Sequence, residues 1–204
     1  TITIYDTTLR DGMQGEGVSL SGTGKLRMAS ILDDFGIDYI EGGYAASNPK
    51  DMEFFTAIRR KKLVNARIAA FGSTRRANTP VAEDAGTRKL LEAGADTVTI
   101  FGKAWKLHVD DVLKTTEAEN LAMVGDTIRH LKKHGKEVIF DAEHFFDGYK
   151  DSPAFARRVL QAAAEAGADV LVLCDTRGGC LPNDIYDITR TIVANYRLPI
   201  GIHC

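Results

Sequence analysis

The apolar positions of the chain fall into two alternating kinds of segment. Short runs rich in β-branched residues begin near Ile2, Tyr39, Arg67, Thr97, Glu137, Val170 and Pro199, at intervals of 28 to 40 residues. Between these runs, apolar residues recur at spacings of three and four, which is the period of an amphipathic helix. The alternation predicts seven strands separated by helices.

Four of the intervening segments show the helical period most clearly. Their predicted apolar faces are Met28, Ile31, Leu32 and Phe35; Leu121, Val124, Ile128 and Leu131; Phe155, Val159, Ala162 and Ala166; and Ile185, Ile188 and Ile192. The predicted helix starts are Asn48 and Ser152, each before a proline, and Thr116 with Glu119 as a capping box. The predicted helix stops are Gly36, Gly94, Gly135 and Gly167. The helices therefore have start and stop signals as well as periods.

One short sequence pattern recurs where a predicted helix ends and the next strand begins. The segments 36–40, 94–98 and 167–171 each read Gly, apolar, Asp and then two strand residues. Reuse of one βα unit predicts a parallel sheet, and a sustained period near 30 residues favours a (β/α)8 TIM barrel over an open doubly wound sheet. No GxGxxG motif follows the first strand, which argues further against the doubly wound alternative.

The length of the chain modifies this α/β prediction. Such a barrel typically needs about 250 residues, and this sequence has 204 and reaches only its seventh predicted strand. We therefore expect a TIM barrel truncated after about the seventh strand. Residues 1–204 would form a single catalytic-barrel domain, incomplete at the C-terminus.

Composition narrows the class of partner. The 26 Lys and Arg residues are balanced by 28 Asp and Glu residues, for a net charge of −2, so no basic surface for nucleic acid is expected. No apolar run approaches the roughly 18 residues of a membrane span, and the first residues do not resemble a signal peptide. The three cysteines lack zinc-finger spacing. We expect a cytoplasmic protein that acts on small molecules and binds neither nucleic acid nor membrane.

Polar residues collect where the predicted strands end. They are Asp6, Arg10 and Asp11 after the first strand, Glu41 after the second, Asp141, Glu143 and His144 after the fifth, Asp175 and Thr176 after the sixth, and His203 after the seventh. Barrel enzymes carry out their chemistry at this edge. Asp11 and His203 offer oxygen and nitrogen ligands for a divalent cation, and an arginine beside it suits an oxyanion or a polarised carbonyl.

The stretch Asp6–Gln14, with the sequence DTTLRDGMQ, resembles the signature of the metal-dependent Claisen-type acyltransferases and lyases of the DRE-TIM class. That family includes citramalate, 2-isopropylmalate and homocitrate synthases and, more distantly, hydroxymethylglutaryl-CoA lyase. The segments 39–43, 101–109, 141–150 and 174–176 are most similar to the citramalate synthase branch. The resemblance extends over the whole chain.

The resemblance implies an enzyme that condenses acetyl-CoA, as co-substrate, with a 2-oxoacid, pyruvate giving citramalate for branched-chain amino-acid biosynthesis. It implies that Asp11 and His203 ligate Mg, Mn or Zn, and that Arg10 polarises the ketone and stabilises the alkoxide. Glu143 would lie in the acetyl-transfer pocket, and Thr176 would donate to the 2-oxoacid carboxylate. It also implies a homodimer or larger homo-oligomer for the full-length protein.

Two departures from the family pattern keep alternatives open. The sequence ends at Cys204, before the second histidine of the family's His-x-His, and Arg177 stands where a smaller side chain is expected. One alternative is a 2-isopropylmalate or homocitrate synthase. Another is a retro-Claisen acyl-CoA lyase, and a third is a catalytically inert structural fragment.

Several site residues also have a purely structural interpretation. Asp11 would then cap the helix after Gly12, and Glu41 would form a buried ion pair with Arg10 instead of binding substrate. Strand alternation places Asp141 and Glu143 on one side, with His144 in the loop.

Two further groups have open interpretations. His130 and His134 have the spacing of metal ligands, yet we expect them at the solvated surface beside Lys132 and Lys133. The cations Arg75, Arg76, Lys103 and Lys106 would either bind the phosphates of coenzyme A or be ordinary loop charges, and no coenzyme-binding residue is assigned.

Overall fold

The computed structural model describes residues 2–46 and 49–204. Its strands are β1 (Tyr5–Asp6), β2 (Tyr39–Tyr44), β3 (Arg67–Ser73), β4 (Thr97–Lys103), β5 (Glu137–Glu143), β6 (Val170–Cys174) and β7 (Ile200–His203). Within these residues they form one parallel sheet in the order β1 to β7, so each strand pairs with its neighbours along the chain. This sequential order is that of a (β/α) barrel, because a doubly wound sheet reverses its order at a switch point.

Helices occupy most of the crossovers. They are α1 (Gly22–Phe35), α2 (Pro49–Ile58), α3 (Ala85–Glu92), α4 (Lys106–Asp111), α5 (Glu117–Lys133), α6 (Phe145–Asp151), α7 (Pro153–Glu165) and α8 (Pro182–Val193), with a short 3-10 helix at Gly12–Gln14. No helix among residues 2–46 and 49–204 is both long and apolar enough to cross a membrane.

The predicted strand positions are confirmed for β2 to β6, each of which begins at the predicted residue, and β7 begins one residue late. The first strand, predicted to begin near Ile2, begins instead at Tyr5. Ile2 and Ile4 are 85% and 50% exposed, and β1 comprises only Tyr5 and Asp6. The reason is that β1 has one neighbour in the described sheet, β2, and pairs with it over just two residues.

The core lies between the sheet and the surrounding helices. Its largest fully buried side chains are aromatic: Phe54, Phe55, Phe140, Phe145, Phe146 and Phe155. Helix α2 packs so closely on β2 that a Cβ atom on Gly42 would lie 2.6 Å from Phe54 and 2.9 Å from Phe55. The absence of a side chain at Gly42 therefore permits this close packing of α2 on β2.

The predicted apolar face of α1 is confirmed for Met28 and Leu32, which are half-buried and pack against the core, and is wrong for Ile31 and Phe35, which are exposed. The fully buried residues of the helix are Lys25, Ala29 and Asp33. Lys25 donates to Asp51 at 2.8 Å, and Asp33 accepts backbone N–H bonds from residues 64–66. Buried polar groups with such partners carry no hydropathy signal, so the apolar period indicated only part of the buried face. The faces predicted for α5 and α7 are confirmed in the main, with Leu121 and Ala162 only half-buried.

The predicted helix ends are partly confirmed. Gly36, Gly94, Gly135 and Gly167 all have positive φ, between 68° and 97°. The hydroxyl of Thr116 accepts from the backbone N–H of Glu119 at 3.1 Å, but the Glu119 carboxylate binds Arg75 and the Asn78 backbone instead of completing a capping box. Ser152 makes no side-chain cap bond, and Asn48 lies outside the described residues.

Candidate active site

The loop after β1 is fixed by its own backbone. The N–H groups of Arg10, Asp11 and Gly12 all donate to the Thr7 carbonyl, at 2.9 to 3.1 Å. Leu9, at the centre of the loop, is only 1% exposed and anchors it in the core. The two charged residues of the signature, Arg10 and Asp11, are therefore presented side by side at the carboxyl edge of the sheet.

The guanidinium of Arg10 is held on three sides. Its Nε donates to Glu41 Oε2 at 2.5 Å, and its Nη1 donates to Asp11 Oδ1 at 3.0 Å. Its Cζ lies 3.9 Å from the centre of the Phe71 ring. Burial opposes the charged form, but the Glu41 carboxylate outweighs it and raises the pKa of Arg10. Nη2 makes no hydrogen bond to the described residues and remains as a donor.

Glu41 is fully buried, and each of its carboxylate oxygens already accepts a hydrogen bond. Oε2 accepts from Arg10, and Oε1 accepts from the Tyr5 hydroxyl at 2.9 Å. Burial raises the pKa of Glu41, and the positive charge of Arg10 opposes that shift. The ion-pair interpretation of Glu41 is therefore the arrangement found, with both carboxylate oxygens hydrogen-bonded and the side chain removed from solvent.

Asp11 faces His203 across the edge of the sheet. Asp11 Oδ2 and His203 Nε2 are 3.9 Å apart, and the two side chains are 43% and 37% exposed. Asp11 makes no side-chain cap bond to the 3-10 helix that follows it, so the capping interpretation is not supported. Metal bonds of about 2.0–2.2 Å to each donor would span the gap. The separation of these oxygen and nitrogen donors is compatible with a single divalent cation.

Two acidic residues of β5 face the same region, as the strand alternation predicts. Asp141 is 8% exposed and makes no side-chain hydrogen bond or ion pair with the described residues. Burial raises the pKa of Asp141 to about 8, and the negative charge of Glu41 adds to the shift. Glu143 is paired differently, because Lys103 Nζ on β4 donates to its Oε2. Position 141 thus holds an isolated acid, whereas Glu143 has a cation beside it.

Thr176 lies at the exposed end of β6 and contacts the loop after β5. Its Oγ1 accepts from the backbone N–H of His144 at 2.8 Å, and His144 has the left-handed φ of 54°. The hydroxyl proton of Thr176 is left to donate elsewhere. Arg177, the departure noted in the sequence, is turned to Asp147 at 2.6 Å and lies over Trp105.

The structure also brings together residues that the sequence did not connect. Atoms of Asp141, Cys174 and His203 that can ligate a metal all lie within 4.8 Å of one another. The sequence gave no signal for this cluster, because the three cysteines lack zinc-finger spacing. The register between β6 and β7, which pairs Cys174 with His203, could not be read from the chain.

The two surface histidines and the candidate phosphate-binding cations lie outside the Arg10–Asp11 region or are already paired. His134 is exposed and His130 half-buried, with ring centroids 4.5 Å apart. Three of the four candidate phosphate-binding cations are already in ion pairs: Arg75 with Glu119 and Asp126, Lys103 with Glu143, and Lys106 with Asp110 and Glu117. These cations form no free basic cluster.

A parallel barrel sheet with charged residues at its carboxyl edge is the plan of a barrel enzyme, and comparison with known proteins specifies the family. A model of the HMGL-like family matches residues 1–204. The (R)-citramalate synthase of Aquifex aeolicus is 55% identical over 201 residues, 98% of this chain and 38% of that protein. The (R)-citramalate synthase of Sulfolobus acidocaldarius is 48% identical over 202 residues, 99% of this chain and 39% of that protein. The HMG-CoA lyase of Bacillus subtilis superposes with a TM-score of 0.78 at 21% identity, over 98% of this chain and 67% of that chain.

The chain belongs to the HMGL-like family. The resemblance carried by Asp6–Gln14 is thereby confirmed, and the likeness to the lyase structure confirms the predicted barrel fold, with seven strands in the described residues. The chain spans less than two fifths of the length of the two synthases.

Proposed function

We propose that the protein is an acyltransferase that condenses acetyl-CoA with pyruvate to form citramalate. The observation that carries the proposal is the geometry of Arg10, held between Glu41 and Asp11 while Asp11 faces His203. The relatives named (R)-citramalate synthase support the choice of product. The proposed pathway is branched-chain amino-acid biosynthesis.

Asp11 and His203 would hold the divalent cation, Mg, Mn or Zn, on their oxygen and nitrogen donors. When bound there, such an ion acts as a Lewis acid that polarises the ketone of the 2-oxoacid. A homo-oligomeric state, expected for the full-length protein, stays a prediction.

Arg10 would stabilise the negative charge that develops on the ketone oxygen. In the condensation, the methyl carbon of acetyl-CoA gives up a proton to a base and bonds to the ketone carbon. The π electron pair of the ketone passes to its oxygen, which becomes an alkoxide and is then protonated. Nη2 of Arg10 is the unengaged donor of the fork and can point at that oxygen. Because Glu41 and Phe71 fix the guanidinium beforehand, little reorganisation is needed as the charge forms.

Thr176 and Glu143 would complete the pocket. The Thr176 hydroxyl accepts from His144 through its oxygen and can donate its proton to the carboxylate of the 2-oxoacid. Glu143, paired with Lys103, would border the acetyl group. Water then hydrolyses the citramalyl thioester, releasing citramalate and the free thiol of coenzyme A, which makes the condensation irreversible in practice.

The proposal is tested with the full-length protein by following thiol release from acetyl-CoA in the presence of Mg²⁺ or Mn²⁺. We expect fast release with pyruvate, marginal release with 2-oxoisovalerate or 2-oxoglutarate, and citramalate as the product in mass spectrometry. A preference for 2-oxoisovalerate or 2-oxoglutarate would indicate a 2-isopropylmalate or homocitrate synthase. Cleavage of a hydroxyacyl-CoA without any condensation would indicate a lyase, and no turnover with any of these substrates would contradict the proposal.

A further inference from the structure

We propose that Asp141, Cys174 and His203 form a second donor set, which binds a borderline-soft divalent cation such as Zn²⁺ through the thiolate of Cys174. The three side chains come from the adjacent strands β5, β6 and β7. One ligand atom from each lies within 4.8 Å of the other two. A carboxylate, a thiolate and an imidazole are the three ligand types that zinc prefers. Burial raises the pKa of the Asp141 carboxyl and of the Cys174 thiol, so binding of the ion releases their protons to solvent.

Asp141 is the observation that points to a ligand. A buried carboxyl group normally has hydrogen-bond partners, because desolvation without them is costly. Asp141 is only 8% exposed, yet its side chain has no such partner among the described residues. Cys174 Sγ and a ring nitrogen of His203 each lie within 4.8 Å of a carboxylate oxygen of Asp141. A cation bound among the three side chains would supply the missing interaction.

The distances are compatible with one ion. Zinc bonds of about 2.3 Å to sulfur and 2.0–2.2 Å to nitrogen and oxygen place tetrahedral donors roughly 3.3–3.6 Å apart. The ligand atoms are at most 4.8 Å apart. Side-chain rotations that move each of them by about an ångström would bring them to these separations. Three protein ligands leave a fourth position open for water or another small ligand.

This set differs from the Asp11–His203 pair in its chemistry. Asp11 contributes an oxygen donor and suits hard cations, whereas Cys174 selects softer ones. The two sets share His203, so an ion bound to Asp141 and Cys174 competes with Asp11 for the imidazole. The competition for His203 affects turnover only under the proposed function, in which Mg²⁺, Mn²⁺ or Zn²⁺ is bound by Asp11 and His203. Binding to the second set does not rest on it.

The test is titration of the metal-free, full-length protein with Co²⁺, which gives a near-ultraviolet charge-transfer band when a thiolate binds it. We expect the band in the wild type and in the matched control Cys180→Ser. We expect no such band in Cys174→Ser, and Co²⁺ binding weakened at least about 100-fold in Asp141→Asn. The variant Asp11→Asn should keep the band, even if the enzyme is inactive.

A band that survives Cys174→Ser, or that disappears in Asp11→Asn but not in Asp141→Asn, would overturn the proposal. Circular dichroism confirms that each variant is folded. If the Cys174 variant does not fold, the ¹¹³Cd resonance of the wild type and of Cys180→Ser answers the same question. A chemical shift typical of one thiolate ligand supports the second set, and a shift typical of oxygen and nitrogen ligands alone overturns it.

Discussion

Arg10 Nε lies 2.5 Å from Glu41 Oε2, in an ion pair whose two side chains are 10% and 1% exposed. The pair joins the loop after β1 to β2, across 31 residues of sequence. Removing two charges from water is costly, so a buried pair is weak evidence for stability alone. Its consequence here is the orientation of the Arg10 guanidinium, because Glu41 fixes one edge of that group and leaves Nη2 without a hydrogen bond to the described residues.

Replacing Arg10 by lysine keeps the charge and removes the planar fork. We expect kcat for thiol release to fall on the order of 100-fold, because the lost hydrogen bond grows as the alkoxide forms. The KM for pyruvate should change by only a few-fold. Steady-state kinetics with acetyl-CoA and pyruvate check this, and a Lys variant as fast as wild type would remove Arg10 from the mechanism.

Glu41→Gln tests whether the ion pair positions the guanidinium. Glutamine preserves the shape of the side chain but removes the negative charge that pairs with Arg10. We therefore expect kcat to fall by about 10- to 100-fold and the melting temperature to drop. The matched control is Glu53→Gln, at an exposed position of α2, which should change neither. Unaltered turnover in Glu41→Gln would show that the pair is merely structural.

Thr176→Val removes the hydroxyl while keeping the branched shape. We expect the KM for pyruvate to rise about tenfold, since a hydrogen bond to a charged carboxylate contributes roughly 1.5–3 kcal/mol. Thr176→Ser retains the hydroxyl and should restore most of the affinity. If valine and serine behave alike, the contact with His144 and the proposed contact with the carboxylate do not matter for binding.

Much of the fold was readable from the sequence because strand and helix signals alternate at a nearly constant period. Five strand starts and the four glycine stops follow from local composition. Asp11 and His203 could be placed together because parallel strands end at one edge. The buried face of α1 could not be predicted, since its determinants, Lys25 and Asp33, have partners that are distant in sequence.

The candidate site shows the same limit. The sequence placed Asp141 and Glu143 on one side of a strand. It did not predict the ion pair of Glu143 with Lys103 or the proximity of Asp141 to Cys174. Those contacts depend on the register between neighbouring strands, which the periodicity of each strand does not encode.

Asp33 provides a test of stability that is independent of the site. Burial opposes its charged form, but the N–H donors of Ala66, Val64 and Asn65 outweigh it and hold the pKa of Asp33 below its ordinary value. Because the folded pKa is depressed, the stabilisation is present at pH 7 and is lost as pH falls through the folded pKa. We expect Asp33→Asn to lower the free energy of unfolding by about 1–3 kcal/mol at pH 7.

Urea unfolding at pH 7 and at several values below pH 4 measures this effect. The difference between wild type and Asp33→Asn should shrink at the lower values, where the wild-type carboxyl becomes protonated. The control Asp34→Asn, at an exposed position of the same helix, should have little effect at any pH. A difference in the free energy of unfolding that is as large below pH 4 as at pH 7 would contradict the assignment.

The central claim is that Asp11 and His203 hold the ion on which condensation depends, beside Arg10. The most direct measurement is thiol release from acetyl-CoA and pyruvate by the chelator-treated, full-length protein, before and after Mg²⁺ or Mn²⁺ is added back. We predict that wild type and Asp34→Asn regain full activity, and that Asp11→Asn and His203→Ala remain at least about 100-fold slower at any metal concentration while still folded. Full metal-restored activity in Asp11→Asn, or undiminished activity of the wild type without metal, would contradict it.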